Sequence, residues 1–97
     1  MSKIYLGSGN DRRLGYTHVD HLPLEGIDVV HNLMYFPYPF EDEEAEHIIA
    51  IDVLEHLDHY TKDGKPTVIA FIEECHRILK TGGELFIQTP RYDADFL

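Results

Sequence analysis

Ninety-seven residues with 18 Asp and Glu against 8 Lys and Arg carry a formal charge of -10, and 43% of them are apolar. Leu, Ile, Val and Phe supply 29 of the 97, which excludes a disordered chain and predicts one packed domain over residues 1–97, with a small core and a single cysteine, Cys75, that can form no intramolecular disulfide. No apolar run approaches the roughly 20 residues that cross a bilayer and no charged-then-apolar leader opens the chain, so a cytoplasmic protein without a membrane partner is expected.

The first predicted element is Lys3-Ile4-Tyr5-Leu6, a β-forming run that halts at Gly7-Ser8-Gly9-Asn10, as a strand entering a glycine loop does. Residues 16–20 alternate and end on a carboxylate, Asp20, and residues 27–31 give a third strand. Pro37 and Pro39 remove donors from the aromatic run 34–40 and make it an ordered loop. Ile48-Ile49-Ala50-Ile51, ending at Asp52, lacks polar alternation and suits a strand buried on both faces of a parallel sheet. Val53, Leu54 and Leu57 then predict a short helix over 53–60. The strongest helical stripe comprises Val68, Ile69, Phe71, Ile72, Cys75, Ile78 and Leu79, with Pro66 in its first turn and Gly82-Gly83 as its stop. Residues 84–89 form a fifth strand, closed by Pro90.

Strands interleaved with helices predict an α/β fold, a Rossmann-like and mostly parallel sheet of about five strands. Nine residues from Gly7 to Gly15 and six from His21 to Gly26 fall short of the dozen or so that a parallel crossover needs. The first two crossover helices should therefore be absent or reduced to a turn, leaving one face of the sheet thinly covered.

Ligands of such sheets sit beyond the carboxyl ends of the strands. There Gly7-Ser8-Gly9 lets backbone approach a ligand closely, although Arg12 stands where a dinucleotide pattern has its third glycine, and no phosphate-binding lysine pattern is present. Asp20, at the end of the neighbouring strand, can accept both hydrogen bonds of a ribose diol. From Asp20 through Thr61 there are 11 Asp and Glu, Asp20 included, and no Lys or Arg, which repels a phosphate backbone and excludes a nucleic-acid partner. Within that stretch the run at Glu41 to Glu46 reads as a solvated loop, with a cationic ligand or partner as the sharper alternative.

In combination these segments resemble the class I S-adenosylmethionine-dependent methyltransferase family, especially its small-molecule branch. The resemblance rests on Tyr5-Leu6-Gly7-Ser8-Gly9, on residues 16–20 and 27–33, and on Tyr38-Pro39-Phe40-Glu41-Asp42. Residues 48–52 running into Val53-Leu54-Glu55-His56-Leu57, and Ile78-Leu79-Lys80-Thr81-Gly82-Gly83-Glu84-Leu85, complete it. It implies S-adenosylmethionine as cofactor, its methionine part against Gly7, Ser8 and Gly9 and its ribose hydroxyls on Asp20. It further implies adenine at Asn32 and Leu33, and the amino group at backbone near Ile51 and Asp52. No Asn-Pro-Pro-Tyr pattern follows strand four, which disfavours DNA-base or glutamine acceptors. The family fold has seven strands, so this sequence reads as truncated, with residues 91–97 an interrupted continuation. The fifth strand is then an exposed edge, for which a homodimer is the expected cover.

Methyl transfer asks mainly for alignment and desolvation. Glu55 and His56 are the candidate catalytic residues, as a general base past strand four, against the plainer role of lining a short helix. Arg12 and Arg13 are candidates for pairing the cofactor's carboxylate, although exposed arginines are commoner. Seven histidines are present, but no zinc-protease spacing joins them, and no metal is expected. Two functions stand side by side: methyl transfer to an unidentified small acceptor, and a non-catalytic module that binds cofactor or a protein partner through its open sheet edge. A metal-dependent hydrolase built on His56 and His59 is a distant third.

Overall fold

The computed structural model describes residues 2–90; the expectation for residues 91–97 lies outside them. Five strands form one all-parallel sheet: β1 (Ser2–Leu6), β2 (Thr17–Asp20), β3 (Val29–Val30), β4 (Ala45–Ile51) and β5 (Leu79–Gln88). Their spatial order is β3-β2-β1-β4-β5, with Tyr5 opposite both His18 and Ile49, and Ile49 opposite Phe86. The predicted α/β class and strand count hold. β4 is buried on both faces through Ile48, Ile49 and Ala50, as its unbroken apolar run requires. β3 keeps only two of five expected residues, yet its flanks still bond to β2: Asp28 N–H donates to His18 O and His31 N–H to Asp20 O, both at 2.9 Å.

Alternation sorts the strand side chains onto two faces. On one, Ile4, Leu6, Val19, Ile48 and Ala50 meet Phe71, Cys75 and Ile78 of α1 (Thr67–Ile78) and form the core. Burial pushes the Cys75 thiol up to about 12, so it is an inert core residue. The other face carries no helix among the described residues. It presents Tyr5, Tyr16, His18 and His47, with Tyr16 Oη 2.7 Å from His47 Nδ1 and Arg13 over the Tyr5 ring at 5.4 Å. The loop between β1 and β2 substitutes there for a crossover helix, as its length demands.

Three expectations need correction. The helix over 53–60 is a single 3-10 turn at Leu54–His56, because Leu57 is extended and Leu54 and Leu57 turn in to pack on the core. Only part of the α1 stripe is covered: Val68, Ile69 and Ile72 are 48%, 48% and 40% exposed, since the sheet reaches only the flank carrying Phe71, Cys75 and Ile78. Pro66 precedes α1 rather than entering its first turn, and the helix ends at Ile78, four residues before Gly82. Gly82, at φ +82°, and Gly83 instead take up the slip in register between the Ala45–Leu79 and His47–Glu84 pairs.

The acidic loop is also less free than a solvated run. Arg77 donates to both oxygens of Glu74 at 2.8 Å, to Asp42 Oδ1 at 2.9 Å and to the carbonyls of Phe40 and Tyr38, while Glu74 accepts from Tyr38 N–H. This fastens the aromatic loop onto α1.

Candidate functional site

A cavity of about 440 Å³ opens at the carboxyl ends of β1, β2, β3 and β4. Each wall is built by the turn that leaves a strand. Gly7 after β1 has φ +66°, and a Cβ there would stand 2.6 Å from Val53 Cγ2, so only glycine lets the chain turn this close to the β4 end. The turn is tied to β2 by Gly7 N–H and Ser8 N–H, which donate to Val19 O at 2.7 and 3.2 Å.

Asp20 closes β2 with its carboxylate buried, 6% exposed. Oδ2 accepts from Gly9 N–H at 2.8 Å and Oδ1 from Leu22 N–H at 3.0 Å. The glycine loop and the next turn are thus both hung on one carboxylate; His21 Nδ1 also stands 3.2 Å from Oδ1, so the remaining accepting capacity is on Oδ2. Beyond β3, Asn32 Oδ1 accepts from Met34 N–H at 2.9 Å, which orients the amide, and its NH2 has no side-chain hydrogen bond among the described residues. Leu33 is buried against Tyr38, whose hydroxyl donates to Leu33 O at 2.8 Å. After β4, Asp52 takes φ +55° while its N–H donates to Gln88 O at 2.8 Å, turning the chain into Val53 and the 3-10 turn.

The structure brings Gly7, Asp20, Asn32, Leu33, Asp52 and His56 around this cavity. Ser8, Gly9, Ile51 and Glu55 do not line it. Ser8 Oγ is buried beside it without a hydrogen-bond partner among the described residues, and Glu55 faces a neighbouring cleft with Leu54, His59 and Val68. Arg12 is not available either. Its guanidinium donates to the carbonyls of Gly9, Asp11 and Glu25, packed over Gly26, where a Cβ would collide with it. His21, His31, Met34, Val53, Leu57 and Asp58 complete the wall; the first four lie within four residues of a strand end, the cue that marks them, while Leu57 and Asp58 follow the 3-10 turn.

Among the described residues no group of three or more His, Cys, Asp or Glu could hold a metal ion, and no helix is long and apolar enough to cross a membrane. Residues 11–87, more than three-quarters of the chain, match a family model described as a methyltransferase domain. That span takes in β2, β3, β4 and α1 with most of β5, and all the wall except Gly7. No curated protein and no solved structure matches the chain.

Proposed function

The chain belongs to the methyltransferase domain family, and from that premise we propose that the cavity binds S-adenosylmethionine and that the protein transfers its methyl group to a small acceptor. The observation that carries the reading is Asp20: a buried carboxylate at the β2 end, oriented by two backbone N–H groups and with His21 Nδ1 3.2 Å from Oδ1, that keeps accepting capacity on Oδ2 for a ribose hydroxyl. The cavity falls within the size range of cofactor sites. Gly7, the residue of the glycine loop that lines the cavity, receives the methionine part, with Ser8 and Gly9 behind it. Asp52 at the β4 end receives the amino group. Leu33 supports the adenine, and the free NH2 of Asn32 donates to a ring nitrogen, where an acid would have accepted from the exocyclic amine.

When bound, the cofactor supplies a methyl group already activated on a sulfonium. The residues of this chain then have to orient it, exclude water and take a proton from a hydroxyl or amine acceptor. His56 serves as that base: it lines the cavity with its ring largely exposed, and Nε2 stands 3.7 Å from Glu55 Oε2. Calorimetric titration of S-adenosylmethionine tests the site. Asp20→Ala should weaken binding by roughly a hundredfold, the worth of hydrogen bonds to a charged acceptor, with Asp20→Asn as a control that still accepts from one amide. Unchanged affinity in a folded Asp20→Ala would refute the reading.

The second reading is a binding module, favoured by β5, which has a strand neighbour on one side only among the described residues and carries Phe86 48% exposed. Its occupant is a second copy of the chain. Cofactor binding without turnover on any acceptor, in a dimer, would select it.

A further inference from the structure

The loop between β1 and β2 is fastened to the helix-free face by titratable side chains. Tyr5 Oη donates to Asp11 Oδ2 at 2.7 Å, the Arg13 guanidinium reaches Asp11 at 3.5 Å, and Arg13 N–H donates to His18 Nε2 at 2.9 Å. Tyr16 N–H then returns to Arg13 O at 3.2 Å. The His18 side chain is buried, and its ring has one fixed proton arrangement, because a backbone N–H can only donate. Nε2 is the acceptor, and Nδ1 carries the proton, 3.4 Å from Asp28 Oδ2.

A second proton on that ring breaks the tie. It sets an Nε2–H against the Arg13 N–H, donor to donor, and turning the ring over brings no acceptor, since both nitrogens of an imidazolium carry hydrogen. The other groups around His18 are Tyr5 from β1, Asp11, Arg12 and Arg13 from the loop, and Asp28 on the approach to β3. Burial and Asp11 push the Tyr5 phenol up to about 12, while the Tyr5 hydroxyl holds Asp11, and the His18 backbone N–H holds Asp28, below the ordinary carboxylate value. These three keep their charge between about pH 8 and 5, and so do the arginines. His47, at the far end of the loop beside Tyr16 and Lys3, behaves differently. Its partner is the Tyr16 hydroxyl, which donates to a neutral Nδ1 and accepts from a protonated one, so that contact survives.

We propose that His18 is a proton-operated latch on this loop: the neutral ring holds Arg13 in place, and protonation at Nε2 releases it and loosens the glycine turn hung on Asp20. The link to that turn is Arg12, next in the chain. Its guanidinium donates to Gly9 O at 2.6 Å and to Glu25 O at 3.2 Å, while Gly9 N–H donates to Asp20 Oδ2 at 2.8 Å. The turn behind the cavity is therefore firm at neutral pH and looser in acid. The latch belongs to the free chain and stands apart from the cofactor reading.

Amide-resolved NMR of the free chain from about pH 8 to 5 tests it, with His18 followed through its imidazole nitrogens. The Arg13 and Gly9 amides should shift with the His18 ring, at one midpoint. Protection of the Arg13 amide from solvent exchange should fall about fivefold or more, the worth of one amide hydrogen bond. Ile48 and Ala50 in β4 should keep their protection, which separates loop opening from acid unfolding. In His18→Gln, Oε1 accepts from Arg13 N–H and takes no proton, so both amides should stay fixed across the range, whereas His47→Gln should respond as the parent does. Arg13 and Gly9 amides that stay still while the parent's His18 titrates would overturn the proposal. So would the parent's response in a folded His18→Gln; should that variant not fold, the parent's titration decides alone.

Discussion

Gly7 and Asp20 act as a pair, one by having no side chain and the other by having a short charged one. Gly7→Ala would force an L-residue to φ +66° and push its Cβ into Val53. The expected cost is about 2–4 kcal/mol, from the left-handed backbone and the overpacking together. A denaturant melt measures it, and Val53→Ala in the same chain should restore part of the loss; no recovery would show that the contact with Val53 is not the cause. Asp20 was legible in the sequence as a carboxylate ending a strand beside a glycine loop. Arg12 was not: its partners Gly9 O and Glu25 O and its platform Gly26 come together only when the loops after β1 and β2 are folded side by side. Local pattern names a strand end well, but it does not tell where a long flexible side chain spends its donors.

At the level of elements, β4 was legible because an unbroken apolar run has one comfortable place in a parallel sheet. The face of α1 that would be covered was not, since Val68, Ile69 and Ile72 have the same spacing as Phe71, Cys75 and Ile78, and periodicity alone cannot say which flank meets the sheet. The junction of α1 with the aromatic loop depends on Glu74. Burial pushes its carboxyl up, but the Arg77 guanidinium and Tyr38 N–H outweigh burial and hold it below the ordinary value. The resulting stabilisation is complete above the carboxylate range of the unfolded chain, near pH 4.3, and fades as pH falls through the lower folded value. Glu74→Gln should therefore cost about 2 kcal/mol at neutral pH and flatten the acid limb of the stability profile. An unaltered acid limb in urea melts between about pH 2 and 6 would contradict the assignment.

At the scale of the whole molecule, α/β class, a mostly parallel sheet and family were within reach of the sequence because the buried β4 run and the strand-end residues constrain them jointly; that every pair is parallel was not, since the two short connections argued against it. What covers β5 and the helix-free face was not, because partners are not written in the periodicity of one chain. If a second copy pairs at β5, light scattering after size exclusion should give a dimer, and Phe86→Lys, which puts a charge on the edge, should give a folded monomer. A monomeric parent chain would rule the pairing out. The helix-free face and the cavity are separate surfaces, one carrying Tyr16 and His47 and the other lined by Gly7, Asp20, Asn32 and Asp52. An amide-resolved NMR titration with S-adenosylmethionine distinguishes them directly. The shifts are expected at Gly7, Gly9, Asp20, Asn32, Leu33 and Asp52, with Tyr16, His47 and Phe86 unmoved. Shifts confined to the helix-free face, or none at saturating cofactor, would contradict the cofactor site.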